Sequence, residues 1–559
     1  METNYGFHLQ KKGTKIIFLF FLTSIFFISG LHSQSWYSLS SGTNTNVFSS
    51  TVYNGNLIVA GDFTIAGGVT VNHIAFWNGT NWAPLGSGTD STVYTLFVYN
   101  GELIAGGKFT TAGGVSCNRI AKWNGSSWSP LLLGANAPVY SLSVYSGSLR
   151  VGGAFTNVAG VNANHIARWD GSAWYSMGLG TNDNVYCMTL FGADLILGGK
   201  FTTAGGLTCK RIADFNTNPI YLPLAAGIDS GSVLSLFTYN GLLMVGGDFT
   251  SIGGIPVLYI ASWDGTNWNS VGSGMNSNVR SLGYFNGNLI AGGKFTNAGG
   301  TQANYIAGWN GTIWSTLGSG MNGGNSEVDA LTTWANVLIG GGNFAFAGGN
   351  QALNVAAYGS IPVEPDLISP CGITTDSLTP LLNWTDVPNA TSYGVEIATD
   401  NNFLNVILNA SSIPISQYQV TEGTLSPNTN YFWHANAANG LGPGPWSQSC
   451  SFTTPNLIGI NKNSGSVPKK FILYQNYPNP FNPSTTIKFD IPANLNNNAN
   501  VSLSLYDLNG KKAAVLFEQE YRPGSYTVNV NAENLASGVY FCILKSGELI
   551  QTKKILLVK

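Results

Sequence analysis

The chain has 559 residues with only 9% charged and a formal net charge of −2. That balance leaves no basic stripe to displace counterions from phosphates, which excludes nucleic acid as a partner. Its 70 glycines and 15 tryptophans, among abundant Asn, Ser and Thr, imply many short strands joined by tight turns, an all-β protein.

At the N-terminus Lys11, Lys12 and Lys15 precede an apolar run over residues 16–28, and Leu31, His32 and Ser33 offer a cleavage site before Gln34. Residues 1–33 read as a signal peptide: the run is short for a membrane anchor and is interrupted by Thr23 and Ser24. The mature chain is expected to have no membrane span.

From there the text of residues 289–320 recurs along most of the chain. The phenylalanine after a glycine pair falls at Phe63, Phe109, Phe155, Phe201, Phe249, Phe295 and Phe344, in steps of 46, 46, 46, 48, 46 and 49 residues. A second aromatic marches with it at Trp77, Trp123, Trp169, Phe215, Trp263, Trp309 and Tyr358. Each unit is long enough for four short strands and cannot bury both faces alone, so seven copies predict a propeller over residues 34–360. In the second copy the strands are expected at 93–99, 102–109, 119–123 and 128–131, with hairpin signals at Asn100-Gly101 and Asn124-Gly125. Trp36 and Leu39 match a fourth strand that has no preceding three, and the array ends on a third strand that has no fourth. The N-terminal strand is therefore expected to complete the seventh blade and close the ring.

Two positions vary inside this frame. One reads Asp62, Lys108, Ala154, Lys200, Asp248, Lys294 and Asn343; the other reads His73, Arg119, His165, Arg211, Tyr259, Tyr305 and Asn354. Both flank the long loops, the end of a rigid scaffold where binding residues concentrate, so Asp62, Lys108, Lys200, Asp248, Lys294, His73, Arg119, His165, Arg211, Tyr259 and Tyr305 are candidates for a ligand face. A strand-end role, satisfying solvent or nearby backbone, is the competing reading. No metal-ligand spacing, phosphate loop, catalytic triad or cofactor motif appears in the sequence. The glycine pair of Gly106 and Gly107 and the following Trp123 resemble the kelch-type propellers, although here two tryptophans, Trp123 and Trp128, sit five apart. A similar repeat occurs in fungal cortical-marker surface proteins.

Pro362, Pro365 and Pro370 mark the end of the array. Strands around Trp384 and Tyr393, then Leu425, Pro427 and Tyr431, then Trp433 and Trp446, resemble a fibronectin type III domain over residues 363–455, which implies a β-sandwich acting as spacer or binding module. Cys371 and Cys450 bracket this stretch and are candidates for a disulfide in an oxidising compartment. Residues 456–471 read as a polar linker.

Residues 472–559 carry a run of ordered motifs: Tyr474, Gln475, Asn476, Tyr477, Pro478, Asn479, Pro480 and Phe481, then Leu505 to Lys511, then Gly538, Val539 and Tyr540, and a final Lys553 to Lys559. They resemble the type A sorting domain of the type IX secretion system. Alternating strands such as Val501 to Tyr506 read as a second, antiparallel β-sandwich, and the resemblance implies the type IX secretion machinery as partner and release or attachment at the outside of a Gram-negative bacterium. The expected protein is an exported or surface-attached binding or adhesion protein whose propeller holds an extracellular glycan or protein. A polysaccharide-active enzyme with acidic groups on the long-loop face is the alternative, and binding is favoured over catalysis.

Overall fold

The computed structural model describes residues 34–559 except 217, 219, 456–459, 464–466, 494–498 and 534. The expected signal peptide lies outside the described residues. Every regular element among them is a β-strand, and no helix is long and apolar enough to cross a membrane.

Among the described residues up to Gly359, seven four-stranded antiparallel sheets succeed one another. The first strands of neighbouring sheets stand side by side, and that of the seventh meets that of the first, so the sheets close into a ring of blades. In blade two the strands are Val93–Tyr99, Glu102–Gly107, Ile120–Trp123 and Trp128–Pro130. The first hairpin turns on Asn100 and Gly101, with φ of 51° and 77°, the left-handed pair a two-residue turn requires. The second hairpin is a four-residue loop: the backbone N–H groups of Ser126 and Ser127 donate to Asn124 Oδ1 at 2.9 Å, so asparagine here acts as a side-chain turn. The third strand starts one residue later than expected because Arg119, at φ 66°, is left-handed and cannot sit in a ladder. The long loop between strands two and three also carries its own small hairpin, Thr111–Ala112 with Val115–Ser116, folded over the outer edge of the blade.

The blade-to-blade contact explains the repeated glycines and tryptophans. A Cβ on Gly106 would lie 2.5 Å from Val139 Cγ1 of the next blade, so glycine is needed for the sheets to approach. In most blades the fourth-strand aromatic staples its blade to the one before: Trp128 Nε1 donates to Leu85 O at 2.8 Å, Trp174 Nε1 to Leu131 O at 2.9 Å and the Tyr221 hydroxyl to Met177 O at 2.8 Å, whereas Trp268 Nε1 of blade five is buried without a partner. Blade seven uses the N-terminal strand for this purpose. Ser35–Ser38 pairs antiparallel with Val355–Gly359, setting Trp36 against Tyr358, and Trp36 Nε1 donates to Leu317 O at 2.8 Å.

Two sandwiches follow. In the first, Leu367–Ser369, Leu381–Trp384 and Gln417–Gln419 face a larger sheet that includes Ser392–Ala398, Val406–Ile413 and Asn430–Asn439, over a core of Trp384, Ile397, Trp433 and Phe452. Ser426 N–H donates to the hydroxyl of Tyr431 at 2.9 Å, a tyrosine corner. Cys371 and Cys450 are bonded, their Cα atoms 5.2 Å apart. The loop after Asn439 meets blade seven: Gly440 N–H donates to Ala335 O at 3.0 Å and Leu441 packs on the blade's apolar face. The last sandwich pairs two four-stranded sheets over Phe489, Val501, Leu503, Tyr526 and Leu544. Within the stretch expected to be a linker, Ile460–Asn463 forms an edge strand of this sandwich along Gly524–Asn531.

Candidate functional site

The ring has two unlike ends. Strand one begins and strand two finishes beside the long loops, as the pairing of Val93 with Gly107 shows, whereas the tight Asn-Gly turns lie at the opposite end, where Tyr99 pairs with Glu102. At the loop end every first strand carries a register shift immediately after its first valine, and the bulged residues are Phe48, Tyr94, Tyr140, Tyr186, Leu234, Arg280 and Asp329. A bulge re-aims the extra side chain, and here one side chain per blade is set at the mouth of the central channel.

Six of these seven fall into two arcs, with Leu234 of blade five between them. On one side the rings of Phe48, Tyr94, Tyr140 and Tyr186 touch in series at centroid distances of 5.7, 5.4 and 5.5 Å, each tilted against the next. Burial raises the Tyr94 hydroxyl pKa, with Asp62 adding to it, and burial followed by the two flanking tyrosines raises that of Tyr140. On the other side Arg280 Nε lies 3.0 Å from both Glu327 Oε2 and Asp329 Oδ1, and Lys294 Nζ lies 3.3 Å from Glu327 Oε2.

The Asp329 side chain is 9% exposed, and its second oxygen, Oδ2, is buried without a hydrogen-bond partner. Burial is the main reason its pKa is pushed up to about 7; Arg280 opposes the shift, and Glu327 adds to it. Asp62 lies in the same field and accepts from Thr45 Oγ1 at 2.7 Å. An arc of ring faces opposite an arc of donors and acceptors suits a ligand that is flat and apolar on one face and hydroxyl-rich on its edges.

Of the candidates at the end of strand two, Asp62 and Lys294 are thus joined to the mouth, on blades one and six. Lys108, Lys200 and Asp248 occupy the same strand end on blades two, four and five and are exposed; Asp248 accepts from the backbone N–H of Ser232. The other set stands one strand further from the axis, each residue entering strand three with a left-handed backbone, from φ 62° at Asn354 to 71° at His73. The backbone explains the conformation: His73 N–H donates to Phe63 O at 2.7 Å while its carbonyl accepts from Gly61 N–H at 3.0 Å, which clasps the long loop at its base.

The side chains of this second set mostly serve the same loops. Arg119 Nη1 donates to Lys108 O at 2.6 Å and to Phe109 O at 3.1 Å, and Arg211 Nε to Gly231 O at 2.9 Å. His165 Nδ1 lies 3.3 Å from Gly153 O. Tyr259 and Tyr305 pack on the apolar clusters of blades six and seven. Burial lowers the pKa of both His73 and His165, and among the described residues no cluster of His, Cys, Asp and Glu could hold a metal ion. Sequence reasoning missed the bulge residues. Their signal was available as the residue after the first-strand valine, which runs from aromatic through Leu234 to charged around the ring.

Ring, mouth and paired sandwiches define a class: an all-β propeller scaffold with sandwich modules appended. Residues 100–125 match the family model described as a domain of unknown function (DUF5122) beta-propeller, and residues 475–559 match the one described as a secretion system C-terminal sorting domain. The second match implies export through the type IX secretion system, with engagement of its machinery, to the cell surface or extracellular space of Bacteroidetes-type bacteria. No curated protein matches the chain. Among solved structures, the chicken CNTN1 FN1-FN3 domains are similar at 12% identity over 40% of this chain and 74% of that one, with a TM-score of 0.17.

The sorting segment is built so that its entry motif holds its last strand. Asn479 Oδ1 accepts from Leu556 N–H at 2.8 Å, Gln475 Nε2 donates to Lys554 O at 2.8 Å, and Phe481 exchanges backbone bonds with Leu556 and Val558 at 3.0 and 2.9 Å. Asn476, itself buried, donates to Thr485 Oγ1 at 2.9 Å.

Proposed function

We propose that this is a secreted or surface-attached binding protein whose propeller holds an extracellular glycan at the loop-end mouth of its channel. The observation that carries the reading is the split mouth: four contiguous aromatic rings face Arg280, Glu327, Asp329, Lys294 and Asp62. Sugar rings have an apolar face and a hydroxyl edge, and this site offers both partners at once. In this reading Lys108, Lys200 and Asp248 extend the contact surface, while His73, Arg119, His165, Arg211, Tyr259 and Tyr305 hold the loops in position. The kelch-like kinship and the division into a removable leader 1–33, a propeller 34–360, a fibronectin-like spacer 363–455 and a sorting domain 472–559 belong to the same proposal.

A second reading, polysaccharide hydrolysis, draws support from one feature. Asp329, raised to about 7 beside the carboxylate of Glu327, has the protonation of a general acid near neutral pH. Glycan-array binding and hydrolysis by the full chain decide between the two. Retention without turnover supports the binding role, turnover supports the enzyme, and retention of protein ligands alone sinks the glycan assignment.

A further inference from the structure

At the opposite end of the ring, a cavity of about 470 Å³ opens between blades four and five. Its walls include Phe191, Ile196, Leu224 and Trp263, and two carboxylates, Asp194 and Asp214, reach into it. Asp194 begins strand two of blade four and Asp214 lies on strand three, opposite Ile196. Among the described residues neither carboxylate has an ion-pair partner, and Asp214 Oδ1 is buried without a hydrogen bond. Burial, with Asp194 next in importance, pushes the Asp214 carboxyl up to about 6. On the blade-three side Arg150 is engaged elsewhere: it lies 5.3 Å from the Tyr145 ring centre, and its Nη1 donates to Ser148 O.

The repeat supplies an internal comparison. In blade two the same two positions are Glu102 and Lys122, and there Lys122 Nζ sits 2.9 Å from Glu102 Oε2. The frame therefore brings these two side-chain ends within ion-pair reach, and in blade two an ammonium fills the gap. In blade four both ends are acids, and among the described residues no ammonium pairs with them. The aromatic walls suit a cation as well, since Trp263 and Phe191 both line the same space.

We propose that the cleft between blades four and five binds an alkylammonium group, held between Asp194 and Asp214 with its alkyl stem against Phe191 and Trp263. The group comes either from a free amine or from a lysine side chain of another protein. The site is independent of the channel mouth and stands whether or not a glycan binds there.

The test labels the full chain with 5-fluorotryptophan, assigns the Trp263 resonance through Trp263→Phe, and titrates n-butylammonium, the peptide Gly-Lys-Gly and neutral 1-butanol. A saturable shift of Trp263 is expected with an ammonium and not with butanol. Tighter binding of the peptide assigns the source to a lysine side chain, and equal or tighter binding of butylammonium assigns it to a free amine. The double variant Asp194→Asn, Asp214→Asn removes like-charge repulsion, so it is expected to stay folded and to bind at least about ten-fold more weakly. Asp214→Lys places the ammonium of blade two into blade four and is expected to abolish binding while leaving thermal stability unchanged or higher. No saturable shift with either ammonium probe, an equal response to butanol, or unchanged binding in the double variant overturns the proposal.

Discussion

Replacing Trp36 by alanine separates ring closure from ordinary packing loss. The side chain is 2% exposed, tilts against Tyr358 at 5.0 Å between ring centres and stands beside Gly340 and Gly348 of blade seven. Truncating a buried tryptophan costs about 3–5 kcal/mol, which for a ring of this size lowers the melting temperature by roughly 4–7 °C. Trp174 of blade three is also buried and also bonds to the preceding blade, so Trp174→Ala serves as the control for packing alone. Its strand, Trp174–Ser176, pairs with Ile166–Trp169 just before it in the chain, whereas Ser35–Ser38 pairs with Val355–Gly359 at the far end of the array.

Trp36→Ala and removal of residues 35–39 are therefore expected to expose the backbone of Val355–Gly359 to hydrogen exchange. Trp174→Ala is expected to leave Ile166–Trp169 protected. Unchanged protection at Val355–Gly359 after removal of residues 35–39 would refute the closure argument, whatever the melting temperature does.

Other expectations are independent of closure. Asp329 has a folded pKa of about 7 against an unfolded value near 3.8, so the folded chain holds a proton the unfolded chain has lost. Stability from this group falls as pH rises from about 4 to about 7 and is level above, by at most about 4 kcal/mol, and Asp329→Asn should flatten that slope in denaturant titrations. Gly106→Ala drives a Cβ to within 2.5 Å of Val139 and is expected to lose about 1–3 kcal/mol through overpacking. At Gly114, φ 77° with nothing within 4 Å, alanine is expected to lose only about 1 kcal/mol, and chemical denaturation compares the two. Breaking the Cys371–Cys450 bond, which spans 79 residues, by a double serine variant is expected to destabilise the middle sandwich by about 4 kcal/mol, read from its own unfolding transition. A chain ending at Lys470 lacks the sorting motifs and is expected to accumulate in the periplasm; its normal release would contradict the sorting role.

Much of the scaffold is legible in the sequence because each blade repeats the same physical needs. Gly106 recurs where two sheets touch, Phe109 where the long loop is anchored, and Trp128 where one blade is stapled to the next, so counting them counts blades. The unpaired fourth strand at Trp36 shows where the ring closes. Local geometry is less visible. Nothing in the composition of Arg119 or Tyr305 announces a left-handed backbone, which the loop clasp imposes on whatever residue stands there. The mouth was legible only in part: Asp62 and Lys294 stand out as variation at a strand end, but Tyr94 and Arg280 read as ordinary strand residues until the bulge turns them toward the axis. Asp194 and Asp214 lie on different strands, 20 residues apart, and only the register with Glu102 and Lys122 reveals that they form a pair.

The central claim, that an exported propeller holds glycan at its split mouth, is tested most directly by measuring binding of extracellular polysaccharide to the full chain and to a Tyr94→Ala, Tyr140→Ala variant that melts at the same temperature. Saturable binding by the parent chain, weakened at least about ten-fold in the variant, is the expected result. Equal binding by both, or none by the parent chain, would contradict it.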